Sequence, residues 1–164
     1  MMRGIATFGF VGLLSPAPGT WGSLAALIVA YLLLLFLPPI LLPVLTVALY
    51  PLGLAAAGAE IAATGDHDPS HVVIDEVVGQ WVALWPVALG AALTGAEPRA
   101  LWPGWIAAFL LFRLFDIAKP GVIGRADRRG DAAGLMLDDV WAGVFAAIGV
   151  SLLAALGHGV MRLL

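Results

Sequence analysis

Residues 4–59 contain no Asp, Glu, Lys or Arg. About a quarter of a soluble domain is charged, so a run this long and this neutral has no ordinary wetted surface to offer. Over the whole chain 62% of residues are hydrophobic and 12% charged, with a mean hydropathy of +1.01. That excess is more than the core of one 164-residue domain can hide, and lipid must cover part of it. There are no cysteines, which excludes disulfides, thiolate nucleophiles and Cys-ligated zinc. The net charge of −3 gives no basis for nucleic-acid binding.

The neutral run is too long for one span, and Pro16, Pro18, Pro38, Pro39 and Pro43 divide it. A helix needs roughly 20 apolar residues to cross a bilayer, with about 17–25 tolerated. The pattern predicts helices over residues 21–37, 44–63, 77–96, 101–115 and 140–161, the first and fourth near the lower limit. Trp102 and Trp105 are expected as interface anchors of the fourth. Residues 5–14 are apolar but short, are closed by Pro16 and Pro18, and are read as a partly buried or re-entrant approach to the loop at 15–20. The N-terminus does not read as a cleavable signal, so residues 1–164 are taken as one mature membrane domain. The fold class is all-α, a polytopic membrane bundle of about five helices.

Five crossings put the N-terminus and the loops at 64–75 and 116–138 on one side. That side holds Arg3, Arg113, Lys119, Arg125, Arg128 and Arg129, against Arg99 and Arg162 on the other. The positive-inside rule assigns the first side to the cytoplasm. The acids follow independently: Asp66, Asp68, Asp75, Glu76, Asp116, Asp127, Asp131, Asp138 and Asp139 fall on that side, and Glu97 on the other. Acids at helix ends near lipid are costly unless paired or metal-bound.

Asp75-Glu76 and Asp138-Asp139 each stand where a long apolar helix is expected to start. Helix capping explains such acids one at a time. Two pairs on one membrane face also suit a shared Mg²⁺, which takes oxygen ligands, typically carboxylates, waters and substrate phosphate. The likeness of Ile74-Asp75-Glu76-Val77 to Leu137-Asp138-Asp139-Val140 is read as two similar helix starts, because Gly79 and Gly143 fall out of step. Arg113 and Asp116 are three apart, on one helical face, and Lys119 adds the next turn before Pro120. That set is either a helix-end ion pair or a phosphate clamp, since an Arg fork can bond two phosphate oxygens. Arg128 beside Asp127 is a further candidate, while Arg125 and Arg129 read as attraction to anionic lipid. In Ser15-Pro16-Ala17-Pro18-Gly19-Thr20, Thr20 is expected to cap the next helix, whose free N–H groups form an anion site. In Asp66-His67-Asp68-Pro69-Ser70-His71, Asp66 and His71 read as a solvated turn and His67 or Asp68 as a proton shuttle or outer ligand.

Together these segments resemble the phosphatidylglycerophosphatase A family. The resemblance runs through Gly12-Leu13-Leu14-Ser15-Pro16-Ala17-Pro18-Gly19-Thr20-Trp21-Gly22-Ser23, His67-Asp68-Pro69-Ser70 and Asp75-Glu76-Val77-Val78-Gly79-Gln80-Trp81. It continues through Phe112-Arg113-Leu114-Phe115-Asp116-Ile117-Ala118-Lys119-Pro120, Asp127-Arg128-Arg129 and Gly134-Leu135-Met136-Leu137-Asp138-Asp139-Val140-Trp141-Ala142-Gly143. Gly121-Val122 stands where the family has Trp-Pro, and Ala133-Gly134 where it often has two glycines. The resemblance implies an all-helical fold and Mg²⁺-dependent hydrolysis of phosphatidylglycerol phosphate to phosphatidylglycerol in phospholipid biosynthesis. With the charge asymmetry, it implies a bacterial inner-membrane enzyme whose site faces the cytoplasm.

On this reading Asp75, Glu76, Asp116, Asp138 and Asp139 gather the metal, and Asp75, Glu76, Asp116 and Asp139 serve catalysis. Thr20, Arg113, Lys119, Arg128, Ser15 and His67 bind the substrate. A small ion or metal transporter would instead place its acids near mid-bilayer, and a non-catalytic scaffold would need no metal. The oligomeric state is not legible in the sequence.

Overall fold

Proline placement sets where the helices begin. The structure, a computed structural model, describes residues 1–161, so the basic tip expected at Arg162 lies outside the described residues. Helix α1 covers Met2–Ala6, and a 3-10 turn follows at Val11–Leu13. α2 covers Pro18–Phe36, opening on Pro18, where a missing N–H costs nothing. α3 covers Leu41–Thr64 and stops at Gly65, whose φ of 72° is left-handed. Pro43 was expected to break the chain, but it lies in the first turn of α3.

The third predicted span forms as two pieces, α4 at Ile74–Ala83 and α5 at Trp85–Thr94. Pro86 explains the break, because it lacks an N–H and its ring crowds the carbonyl four residues earlier. A 3-10 turn at Pro98–Leu101 leads into α6 at Trp102–Ala118. Together they supply the length that the predicted fourth span lacked. α7, Val122–Asp127, is a short helix inside what reads as a basic loop. α8 covers Ala132–Met161 and starts at Ala132, well before residue 140. Five of these segments are long and apolar enough to cross a membrane: Pro18–Phe36, Leu41–Thr64, Ile74–Thr94, Pro98–Ala118 and Ala132–Gly157. All regular structure among the described residues is helical.

α4 is the centre of the bundle. All its residues but Glu76 are buried, and it packs on α2, α3, α6 and α8. Its indole Trp81 Nε1 donates to Ala26 O of α2 at 2.9 Å. Trp85 Nε1 donates to Thr46 Oγ1 of α3 at 3.3 Å, fastening α5 in the same way. The tightest crossing is between α4 and α8. A Cβ on Gly79 would stand 2.6 Å from Asp139 O, and one on Gly143 would strike Gly79 O. Small residues of this kind let membrane helices touch backbone to backbone. The likeness between the two acidic segments therefore has structural content, one residue out of the register first compared: Asp75 and Gly79 match Asp139 and Gly143, each pair one turn apart.

Trp105 does not anchor the interface as expected. It is buried, donates Nε1 to Pro98 O at 2.9 Å and meets Tyr31 edge-on, whereas Trp102 is exposed. The N-terminal segment packs on protein, as irregular backbone near lipid must. Ala6 and Thr7 are buried, and Ala6 O accepts Val73 N at 2.9 Å. Gly12 presses on His71, and His67 Nδ1 donates to Gly130 O at 2.9 Å. Residues 1–17, 65–73 and 119–131 thus share one end of the bundle.

Candidate active site

Asp75 and Glu76 lie in the first turn of α4. Capping does not explain them, since the N-cap is Val73 and no side chain caps the helix. Asp138 and Asp139 were expected at a helix start, but they lie about two turns inside α8. Capping there falls to Asp131, whose Oδ1 accepts Gly134 N at 2.6 Å. Arg129 and that N–H hold the Asp131 carboxyl below the usual aspartate range.

The Gly79–Gly143 crossing brings one acid pair to the other. Ligand oxygens of Asp75, Glu76 and Asp139 lie within 4.8 Å of one another. Asp75 Oδ1, Glu76 Oε2 and Asp139 Oδ2 are buried with no hydrogen-bond partner. Three carboxylates this close, each with a buried oxygen that nothing satisfies, are strongly unfavourable unless a cation or shared protons intervene. The donor set is all oxygen and anionic, which fits a hard divalent cation and not a thiophilic one.

The other predicted residues divide into those that join this group and those that stand apart. Asp116, in the last turn of α6, abuts Asp139, and its Oδ2 accepts from Arg113 Nη1 at 2.6 Å. Arg113 Nη1 also reaches Ser23 Oγ on α2 at 3.3 Å, while Nε of the same residue is buried without a partner. The ion pair is therefore one wall of the site. A Cβ on Gly19 would collide with the Glu76 carboxylate and come within 3.3 Å of Arg113 Nη1. The first turn of α2 thus lies directly against Glu76 and the guanidinium. Thr20 belongs to that turn but does not cap it, since the N-cap is Ala17 and no side chain caps the helix.

Asp138 is turned away from the three-acid group. Its Oδ2 accepts from Lys119 Nζ at 2.7 Å and its Oδ1 from Asp139 N at 3.0 Å. Lys119 binds Asp127 as well, so Asp127 pairs with Lys119 and not with the neighbouring Arg128. Burial alone would lower the Lys119 ammonium, but the hydrogen bonds to Asp127 and Asp138 hold it above the usual lysine value. Arg128 and Ser15 are exposed and make no side-chain hydrogen bond or ion pair. His67 is exposed beside Gly130. Asp66 is in a solvated turn as expected, but His71 is not, since its Nε2 meets buried Glu60 Oε2 at 2.9 Å.

Two neighbours of the group, and one buried polar residue a turn further along α4, escape the sequence reading. Gly19 leaves the space that Glu76 and Arg113 occupy. Ser23 orients Arg113. Gln80 is fully buried, with both amide atoms unpartnered. Ser23 follows Gly19, and Gln80 follows Glu76, by one helical turn, and that spacing was the available signal.

Comparison with known proteins identifies the family. A family model described as phosphatidylglycerophosphatase A matches residues 4–154. A phosphatidylglycerophosphatase A of Haemophilus influenzae is 39% identical over 84% of this chain and 78% of its own. The Escherichia coli protein of the same name is 36% identical over 92% of this chain and 80% of its own. A putative phosphatidylinositol-3-phosphatase of Bacteroides thetaiotaomicron is 41% identical over 85% and 86%. No solved structure matches the chain. With acids, arginine and glycine crossing in place and the family match spanning nearly the full sequence, the chain belongs to the phosphatidylglycerophosphatase A family.

Proposed function

We propose that the chain is a Mg²⁺-dependent lipid phosphate monoesterase that converts phosphatidylglycerol phosphate to phosphatidylglycerol and phosphate at the cytoplasmic face of the inner membrane. The observation that carries this is the group of unpartnered oxygens on Asp75, Glu76 and Asp139, set against Arg113 and the first turn of α2. Those three acids would hold Mg²⁺, with Asp116 beside them. Bound there, Mg²⁺ supplies neutralisation of phosphate charge and an acidified water.

The chain's own groups account for the rest. Arg113, already fixed by Asp116 and Ser23, offers its remaining N–H groups to non-bridging phosphate oxygens. The backbone N–H groups of Gly19 and Thr20 have no acceptor within α2 and add a second anion contact. Lys119, tied to Asp127 and Asp138, fixes the segment after α6 and adds positive potential near the headgroup. In hydrolysis a water oxygen bonds phosphorus as the bond to the glycerol oxygen breaks. A site carboxylate takes the water proton, and the leaving oxygen gains a proton to become the glycerol hydroxyl. Acyl chains stay in lipid, and the exposed Arg128 and His67 flank the approach.

The acids lie toward one end of their helices, which favours surface chemistry on a headgroup over an ion path through the middle of the bundle. The test is phosphate release from phosphatidylglycerol phosphate in mixed micelles with Mg²⁺ or with EDTA. Chelation should abolish it. Release that survives EDTA together with Asp75→Asn and Asp139→Asn would overturn the reading.

A further inference from the structure

Gln80 is the deepest polar side chain of α4. It is fully buried, and neither Nε2 nor Oε1 has a hydrogen-bond partner. Buried amides are nearly always satisfied, and inside a membrane span an orphaned one is especially costly. Gln80 lies four residues after Glu76 and therefore on the same face of α4, one turn further in. Helical side chains lean toward their helix N-terminus, which tilts the amide back toward Glu76. Glu76 Oε2 and Arg113 Nε are buried and unpartnered too. Two helices thus carry buried, unpaired donors and acceptors: Glu76 and Gln80 one turn apart on α4, and Arg113 on α6.

A neutral amide offers one acceptor and two donor hydrogens and adds no charge to a site already rich in acids. Water is the ligand that matches this set. It can donate to Gln80 Oε1 and Glu76 Oε2 and accept from Gln80 Nε2 or Arg113 Nε. We propose that Gln80 is a positioning residue of the hydrolytic site, its amide holding the reacting water in a fixed orientation beside Glu76. This rests on the monoesterase reading above.

The test compares full-length wild type, Gln80→Met and Gln80→Asn in mixed micelles with Mg²⁺. Methionine keeps the length and removes both orphaned atoms, so thermal stability in detergent should be equal to wild type or higher. Its kcat should fall by about 10- to 100-fold with KM within about threefold, because orientation is lost and substrate binding is not. Mn²⁺ affinity by paramagnetic resonance should match wild type, since Gln80 is not among the acids. Gln80→Asn keeps the amide but withdraws it, and its kcat should also fall. A Gln80→Met protein that keeps kcat within twofold overturns the proposal, as does one that loses stability and activity together or fails to fold. An inactive wild type overturns the parent reading and this proposal with it. An active wild type with an equally active Gln80→Met removes the proposal alone.

Discussion

Asp139 projects from the interior of α8 with one oxygen that no group of the protein satisfies. Replacing it with Asn removes a charge from a crowded set, so phosphate release should fall by about 100-fold or more while thermal stability holds or rises. Stability that collapses along with activity would mark Asp139 as a structural residue. Arg113 gives a second residue-scale prediction. Its fork serves Asp116 and Ser23 and, in the proposed reaction, a phosphate as well, and lysine cannot reproduce that geometry. Arg113→Lys should raise KM and lower kcat/KM by about 10- to 100-fold, measured over a substrate titration. The candidate acids Asp75, Glu76 and Asp139, and the Arg113–Asp116 pair, were legible because charge is so scarce in this sequence that each instance demands a reason. Lys119 as the partner of Asp138 was not, since the contact depends on how α6 and α8 pack. Ser23 and Gln80 were missed because a neutral polar residue inside an apolar run carries no comparable signal.

At the scale of elements, the α4–α8 crossing sets the spacing of the acids. Gly79→Ala would push a methyl group against Asp139 O and the Phe112 ring. We expect a loss of about 1–3 kcal/mol in reversible detergent unfolding, with activity falling although residue 79 itself holds no ligand. The start of α8 yields another expectation. Asp131→Ala removes the acceptor for Gly134 N, so hydrogen exchange at Gly134 and Leu135 should speed up while the rest of α8 is unchanged. In the unmutated protein the same fraying should appear on acidification. The Asp131 carboxyl is held below its ordinary value, so its support is complete above pH of about 4 and fades as pH falls through the lowered value. Helix existence was readable from the long apolar runs. The start of α8 was not, because Asp138 and Asp139 looked like boundary charges, whereas Lys119 pairs with Asp138 well inside the helix. The break at Leu84 follows from Pro86, which a count of apolar residues overlooks.

For the whole molecule, residues 1–17, 65–73 and 119–131 meet at one end of the bundle, the end that the proposed function sets at the cytoplasmic face. The chain has no cysteine to interfere, so Asp66→Cys and Ala96→Cys give a direct check. In inside-out vesicles a membrane-impermeant maleimide should label the first and spare the second; the reverse pattern would invert the topology. The outer surface is a belt of exposed Ile28, Leu32, Val47, Leu110, Leu114, Ile148 and Leu152, while α4 is enclosed by its neighbours. The helix that brings two of the three clustered acids is therefore the one that lipid tails never meet. Exchanges of one greasy side chain for another around the rim can retune the protein to a thicker, thinner or stiffer bilayer, and turnover should be indifferent to them.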